Sequence, residues 1–147
     1  MGQSVRQEQP PPIVCDMTGA TDTPAERIAE YRRLFSQSLL GRSQTPTGIR
    51  FRVRADPGLA DWVRDLARRE KACCGFFDFT VQASGGEVWW DACVVDDETA
   101  RRILAEFYRL PGTVAAGDAV VRQRFADQGL SGPAWPKASR GRVRRPR

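Results

Sequence analysis

The chain has 147 residues and not one histidine. This removes the usual general base and the commonest nitrogen ligand for a metal, so a Ser–His or Cys–His hydrolase and a His-rich zinc centre are excluded. No Cys-x-x-Cys pair occurs among the four cysteines, so neither a zinc knuckle nor a thioredoxin-like redox motif is present. No Gly-rich phosphate loop occurs, and no apolar run approaches the ~20 residues that a membrane-spanning helix needs. The opening Met1-Gly2-Gln3-Ser4-Val5-Arg6 leads into Pro10-Pro11-Pro12 without a signal peptide's apolar stretch. The sequence therefore predicts a cytoplasmic protein, not a membrane protein, with reduced cysteines.

Excess positive charge is also missing from most of the chain. Of the 23 Lys and Arg residues behind the formal charge of +5, Lys137, Arg140, Arg142, Arg144, Arg145 and Arg147 lie beyond Ser131, where no acid occurs; the remaining 17 face 18 acidic residues. The body is near neutral, and any nucleic-acid contact is expected to be weak, nonspecific and confined to the tail.

A hydrophobic content of 41% and a charged content of 28% fit a globular chain. Residues 1–12 read as a disordered leader, 13–111 as the α+β, metal-binding-type domain, 112–130 as a weak helical extension and 131–147 as a disordered basic tail. Ile13–Met17 is a short strand candidate. Thr23-Pro24-Ala25-Glu26 opens a helix with Thr23 as cap and Glu26 three residues on; Ile28, Tyr31, Leu34, Phe35 and Leu39 form its apolar stripe and Gly41 ends it. Ile49 to Arg54 alternates apolar residues with arginines, the pattern of a half-buried strand. Asp56-Pro57 opens a second helix with the stripe Leu59, Trp62, Val63, Leu66, Ala67, and Gly75 follows it as a break. Phe76–Val81 and Glu87–Val95 form a hairpin around Ser84-Gly85-Gly86, and adjacent Trp89 and Trp90 face opposite sides of the sheet. A third helix follows Asp96-Asp97-Glu98 and stops at Leu110-Pro111-Gly112, and Ala119 to Phe125 forms a further weak helix. This order predicts a two-layer α+β sandwich, a small antiparallel or mixed sheet with helices on one face.

The chemistry concentrates at one point. Glu70, Cys73 and Cys74 stand in i, i+3, i+4 relation where the second helix's stripe ends, so their side chains can meet at the core edge. Neighbouring cysteines close only a strained ring, so two free thiols are expected. A carboxylate there needs a partner, and Arg50, Arg52, Arg54, Arg69 or a bound cation are the candidates. Two or three thiols with a carboxylate and no imidazole suit a soft ion such as Hg(II), As(III) or Cu(I) better than zinc or an iron–sulfur cluster. Cys93, within a strand of large hydrophobes, reads as packing; Cys15 is open to either role.

Glu70-Lys71-Ala72-Cys73-Cys74-Gly75-Phe76-Phe77-Asp78-Phe79 resembles the signature Glu-x-x-Cys-Cys-x-Phe-Phe-x-Phe. That signature belongs to small, mainly actinobacterial, heavy-metal-associated proteins encoded beside or fused behind MerR-type regulators, and the likeness covers residues 13–111. Cys15-Asp16 corresponds to the family's Cys-polar opening. The resemblance implies handling of mercury or a related thiophilic metal by Glu70, Cys73, Cys74 and Cys15, with a MerR-type regulator as partner; the regulator's DNA-binding helices have no counterpart here. Three functions compete. The leading one is soft-metal or metalloid binding. An organomercurial-lyase-like enzyme using Cys73, Cys74 and Glu70 is an analogy to the lyases' two thiols and acid. A plain interaction module would use the tryptophan strand and the arginine tail.

Overall fold

The computed structural model describes residues 13–138. The leader, 1–12, and positions 139–147 of the tail lie outside the described residues. Those described form helix α1 (Pro24–Ser38), strands β1 (Leu39–Gln44) and β2 (Ile49–Arg54), helix α2 (Leu59–Cys73), the β3 (Phe77–Ser84) and β4 (Glu87–Val94) hairpin, helix α3 (Glu98–Thr113), a 3₁₀ turn (Val114–Ala116) and helix α4 (Asp118–Asp127). The fold is α+β, with a single four-stranded sheet among the described residues, ordered β1-β2-β4-β3 and antiparallel throughout.

Alternation decides which face is covered. Ile49, Phe51 and Val53 of β2 and Val88, Trp90 and Ala92 of β4 are all buried on one face. There Tyr31 of α1 stacks on Trp90 at 5.9 Å, and Phe107 of α3 meets Trp90 edge-on at 5.8 Å. On the opposite face the β2 arginines are paired: Arg50 binds Asp91 and lies 4.2 Å from the Trp89 ring, and Arg52 binds Glu87. Trp89 and Trp90 do face opposite sides, and the outer one is already covered by an arginine. Gly85 and Gly86 take positive φ of 54° and 82° in the tight hairpin turn, a conformation costly for any side chain.

Helix α1 starts as expected: Thr23 and Glu26 form a reciprocal capping box and Pro24 follows the cap. It ends earlier than Gly41, because Leu39 already belongs to β1. This edge strand pairs with β2 along Leu39–Gln44 while most of its side chains are exposed, so backbone pairing and not apolar alternation defines it. Helix α2 begins at Leu59 behind Gly58 rather than at Pro57. Helix α3 runs through Pro111 to Thr113, past the expected stop, because Leu110 and Val114 on either side are buried at 2% and 3% exposure. The domain boundary drawn at 111 thus falls inside a helix.

Two terminal segments depart from expectation and meet each other. Val14 makes only an isolated bridge to Ser131 in place of a strand. Residues 131–138, expected to be disordered, pack as a strap: Ser131 accepts from the Cys15 amide (2.9 Å), and Trp135 donates from Nε1 to the Cys15 carbonyl (3.1 Å) and packs on Phe125. Gly132 fits against this carbonyl, 2.1 Å from where a Cβ would stand. One aromatic anchor, one backbone bond and the Trp135 side-chain bond to the Cys15 carbonyl outweigh the polar composition of the strap. Truncation after Leu130 is therefore expected to lower stability by about 1–3 kcal/mol, read as a fall in Tm; an unchanged Tm would show that the strap contributes nothing.

Candidate functional site

Helix α2 delivers Glu70 and Cys73 from its last turn, and Cys74 is its C-cap, with its amide bonded to the Glu70 carbonyl at 2.7 Å. The 13–17 segment crosses this helix end, where the Asp16 amide donates to the Cys73 carbonyl at 3.0 Å and so brings Cys15 into the cluster. Cys15, Cys73 and Cys74 are all free and buried, at 1%, 8% and 3% exposure.

The partner of Glu70 is Arg27, from the first turn of α1. Arg27 is 3% exposed, and its guanidinium binds Glu70 Oε1 at 3.2 Å, Cys73 Sγ at 3.5 Å and both oxygens of Asp22 at 2.7 and 2.9 Å. Burial opposes its charge, yet the bonds to Asp22 and the charge of Glu70 hold its pKa above the ordinary value. Asp22 is correspondingly lowered, chiefly by the hydrogen bond from Arg27. A second arginine extends the seam between α1 and α2: Arg69 bridges Glu30, Asp65 and Asp22. Arg50, Arg52 and Arg54, considered above as partners for Glu70, are engaged elsewhere.

The two adjacent thiols diverge. Cys73 lines a surface depression with Asp16, Ala20 and Arg68, whereas Cys74 lines an interior cavity of about 50 Å³ together with Cys15 and Glu70. Cys74 Sγ lies 4.0 Å from Glu70 Oε2. The Cys15 sulfur is close enough to be the largest cause of the marked rise in the Cys74 pKa, ahead of burial and the Glu70 charge. Burial also raises Cys73, opposed by the Arg27 hydrogen bond, and raises Glu70 against the pull of Arg27. Tyr31, 3% exposed, faces the cavity; its hydroxyl has no partner at hydrogen-bonding geometry, but lies near enough to Glu70 for that charge to add to the rise that burial causes in its pKa.

Of the expected site residues, Glu70, Cys74 and Cys15 thus line one cavity, while Cys73, bonded to Arg27, lines the neighbouring surface depression. Cys93 is remote and half-buried on the outer sheet face beside Asp78, not packed in the core. Arg27 and Tyr31 were missed. Both sit on the α1 stripe, Arg27 four residues before Tyr31 and seven before Leu34, a periodicity that marks a buried arginine.

Among the described residues no three His, Cys, Asp or Glu side chains form a ready metal cage. The cluster offers instead two neighbouring buried thiols, a carboxylate whose burial favours taking up a proton, and an apolar space. Because the pKa values of Cys73 and Cys74 are raised, these thiols stay protonated at neutral pH and their alkylation by iodoacetamide should accelerate only above the ordinary thiol range. Rapid labelling of both at pH 7 would contradict this burial. No family model matches the chain, and no curated protein or solved structure matches it either.

Proposed function

We propose that the chain captures a thiophilic metal or metalloid ion, with mercury(II) and arsenite as its test ions, through Cys15 and Cys74 with Glu70 beside them. The observation that carries this reading is the meeting of two thiols nearly sixty positions apart in sequence at one buried carboxylate. A soft, two-coordinate ion needs only two sulfur ligands, so the lack of a three-residue cage is compatible with it. Ion binding would displace the thiol protons, and Glu70 is near enough to receive one. Cys73, held by Arg27, would serve as a third thiol or an entry point from the surface depression. The sequence resemblance supports mercury in particular and a MerR-type regulator as partner, with the cytoplasm as the place of action. Binding is favoured over turnover because the cluster holds two thiols and a carboxylate already paired to Arg27, a set that suits holding an ion. The interaction-module reading is weakened by the outer tryptophan, Trp89, which is already covered by Arg50.

Native mass spectrometry of the reduced protein with Hg(II), arsenite, Cu(I) and Zn(II) tests the reading. One tightly held equivalent of Hg(II) or arsenite, retained against millimolar glutathione, is expected. No adduct with any thiophilic ion would overturn it.

A further inference from the structure

The cavity beside Cys74 is larger than the site of a bare ion requires, and it is apolar where it leaves the thiols. At about 50 Å³ it exceeds the ~10–15 Å³ that one water needs. Its walls away from the thiols include Met17, Ile28, Phe77, Leu110, Val121 and Leu130. Polar groups gather at one end only, where Cys15, Cys74, Glu70, Arg27 and Tyr31 meet. An apolar cavity of this kind stays dry and takes apolar groups, as engineered interior cavities do. A bare dication would leave most of this space empty and would gain nothing from its walls.

Building on the proposed capture of a thiophilic ion, we propose that the species bound is a thiophilic metal cation carrying one small alkyl group, of methyl to ethyl size, with the metal on Cys74 and the alkyl group in the cavity. The exchange balances without any redox partner. An alkylmercury held on a small thiol transfers to Cys74: the Cys74 S–H bond breaks, a Cys74 S–Hg bond forms, the S–Hg bond to the carrier breaks, and the carrier leaves as a free thiol with the proton. Glu70, 4.0 Å from the sulfur, relays that proton, and Cys15 stands by as the second sulfur. The alkyl–metal bond stays intact throughout. Size is the selective element: an engineered cavity that holds benzene measures roughly 150 Å³, far more than the about 50 Å³ here, so a phenyl group is expected to be rejected.

The test is a competition equilibrium against glutathione, run on the reduced full chain with methylmercury, ethylmercury, phenylmercury and Hg(II) as probes. Methyl- and ethylmercury are expected to be held at least about tenfold more tightly than phenylmercury, relative to their own glutathione complexes. Val121→Phe, which fills the cavity, should weaken methylmercury about tenfold or more while sparing Hg(II). Leu110→Ala, which enlarges it, should bring phenylmercury up towards methylmercury, and circular dichroism checks that both variants fold. Equal retention of phenyl- and methylmercury by the unaltered chain would overturn the inference without any variant being needed. If Hg(II) binds and the alkyl preference is absent, only this inference falls. If none of the mercurials binds, the proposed function falls with it.

Discussion

Cys74→Ser should lower the affinity for Hg(II) by at least about 100-fold, some ~2.7 kcal/mol. The reason is geometric. Cys74 lies beside both the Cys15 sulfur and the Glu70 carboxylate, and it lines the cavity with them. Serine keeps the size and a weak hydrogen bond but offers a hard oxygen in place of a soft sulfur. Cys15→Ser should approach the same loss, because one thiol alone cannot complete a two-sulfur site. Cys73→Ser should cost less, since its sulfur is turned towards Arg27 and the surface depression. Cys93→Ser is the control: half-buried on the far face of the sheet, it should leave both affinity and Tm nearly unchanged. Titration of each variant by competition with a thiol chelator gives the comparison. Equal losses at Cys73 and Cys74 would mean that the adjacent pair, and not Cys15 with Cys74, forms the site.

The largest effect on stability is expected at Arg27. Its side chain is 4% exposed and carries the ion pairs to Asp22 and Glu70, themselves 14% and 13% exposed. Arg27→Met keeps much of the volume and removes the charge, leaving two carboxylates close together with little water. Breaking one side of a buried pair costs about 3–5 kcal/mol, which for a chain of this size is a fall in Tm of more than about 10 °C. Arg69 still reaches Asp22, so the loss should fall on Glu70, which would take up a proton at higher pH than it does beside Arg27. Glu70→Gln combined with Arg27→Met should recover part of the stability, because the buried charge is then gone. A loss of less than about 1 kcal/mol in chemical denaturation of the single variant would mean that water reaches this seam freely.

What the sequence made legible was whatever is recorded in local pattern. The capping box at Thr23 and Glu26, the alternation of Ile49, Phe51 and Val53, and the glycine turn between β3 and β4 each state their structure within a few residues. β1 was not legible because Leu39 and Leu40 continue the helical stripe, and only the ladder with β2 makes them extended. The strap escaped notice because its contribution is a single tryptophan docked on a carbonyl 120 residues away. At the site, the i, i+3, i+4 spacing located Glu70, Cys73 and Cys74 in one region. It did not reveal that the chain leaves the helix at Cys74, so that neighbouring thiols end on different sides. Nor did it reveal Arg27. Local spacing points to Arg69 and to the strand arginines, whereas the partner of Glu70 lies 43 residues earlier on α1.

The central claim is that Cys15 and Cys74, and not the adjacent pair, take the ion. Differential alkylation measures it directly: the reduced protein is loaded with one equivalent of Hg(II), unfolded in denaturant with iodoacetamide present, and each cysteine is quantified by peptide mass spectrometry. Protection of Cys15 and Cys74, with Cys93 fully alkylated and Cys73 mostly so, is the predicted result. Protection of Cys73 and Cys74 together with a fully alkylated Cys15 would contradict it.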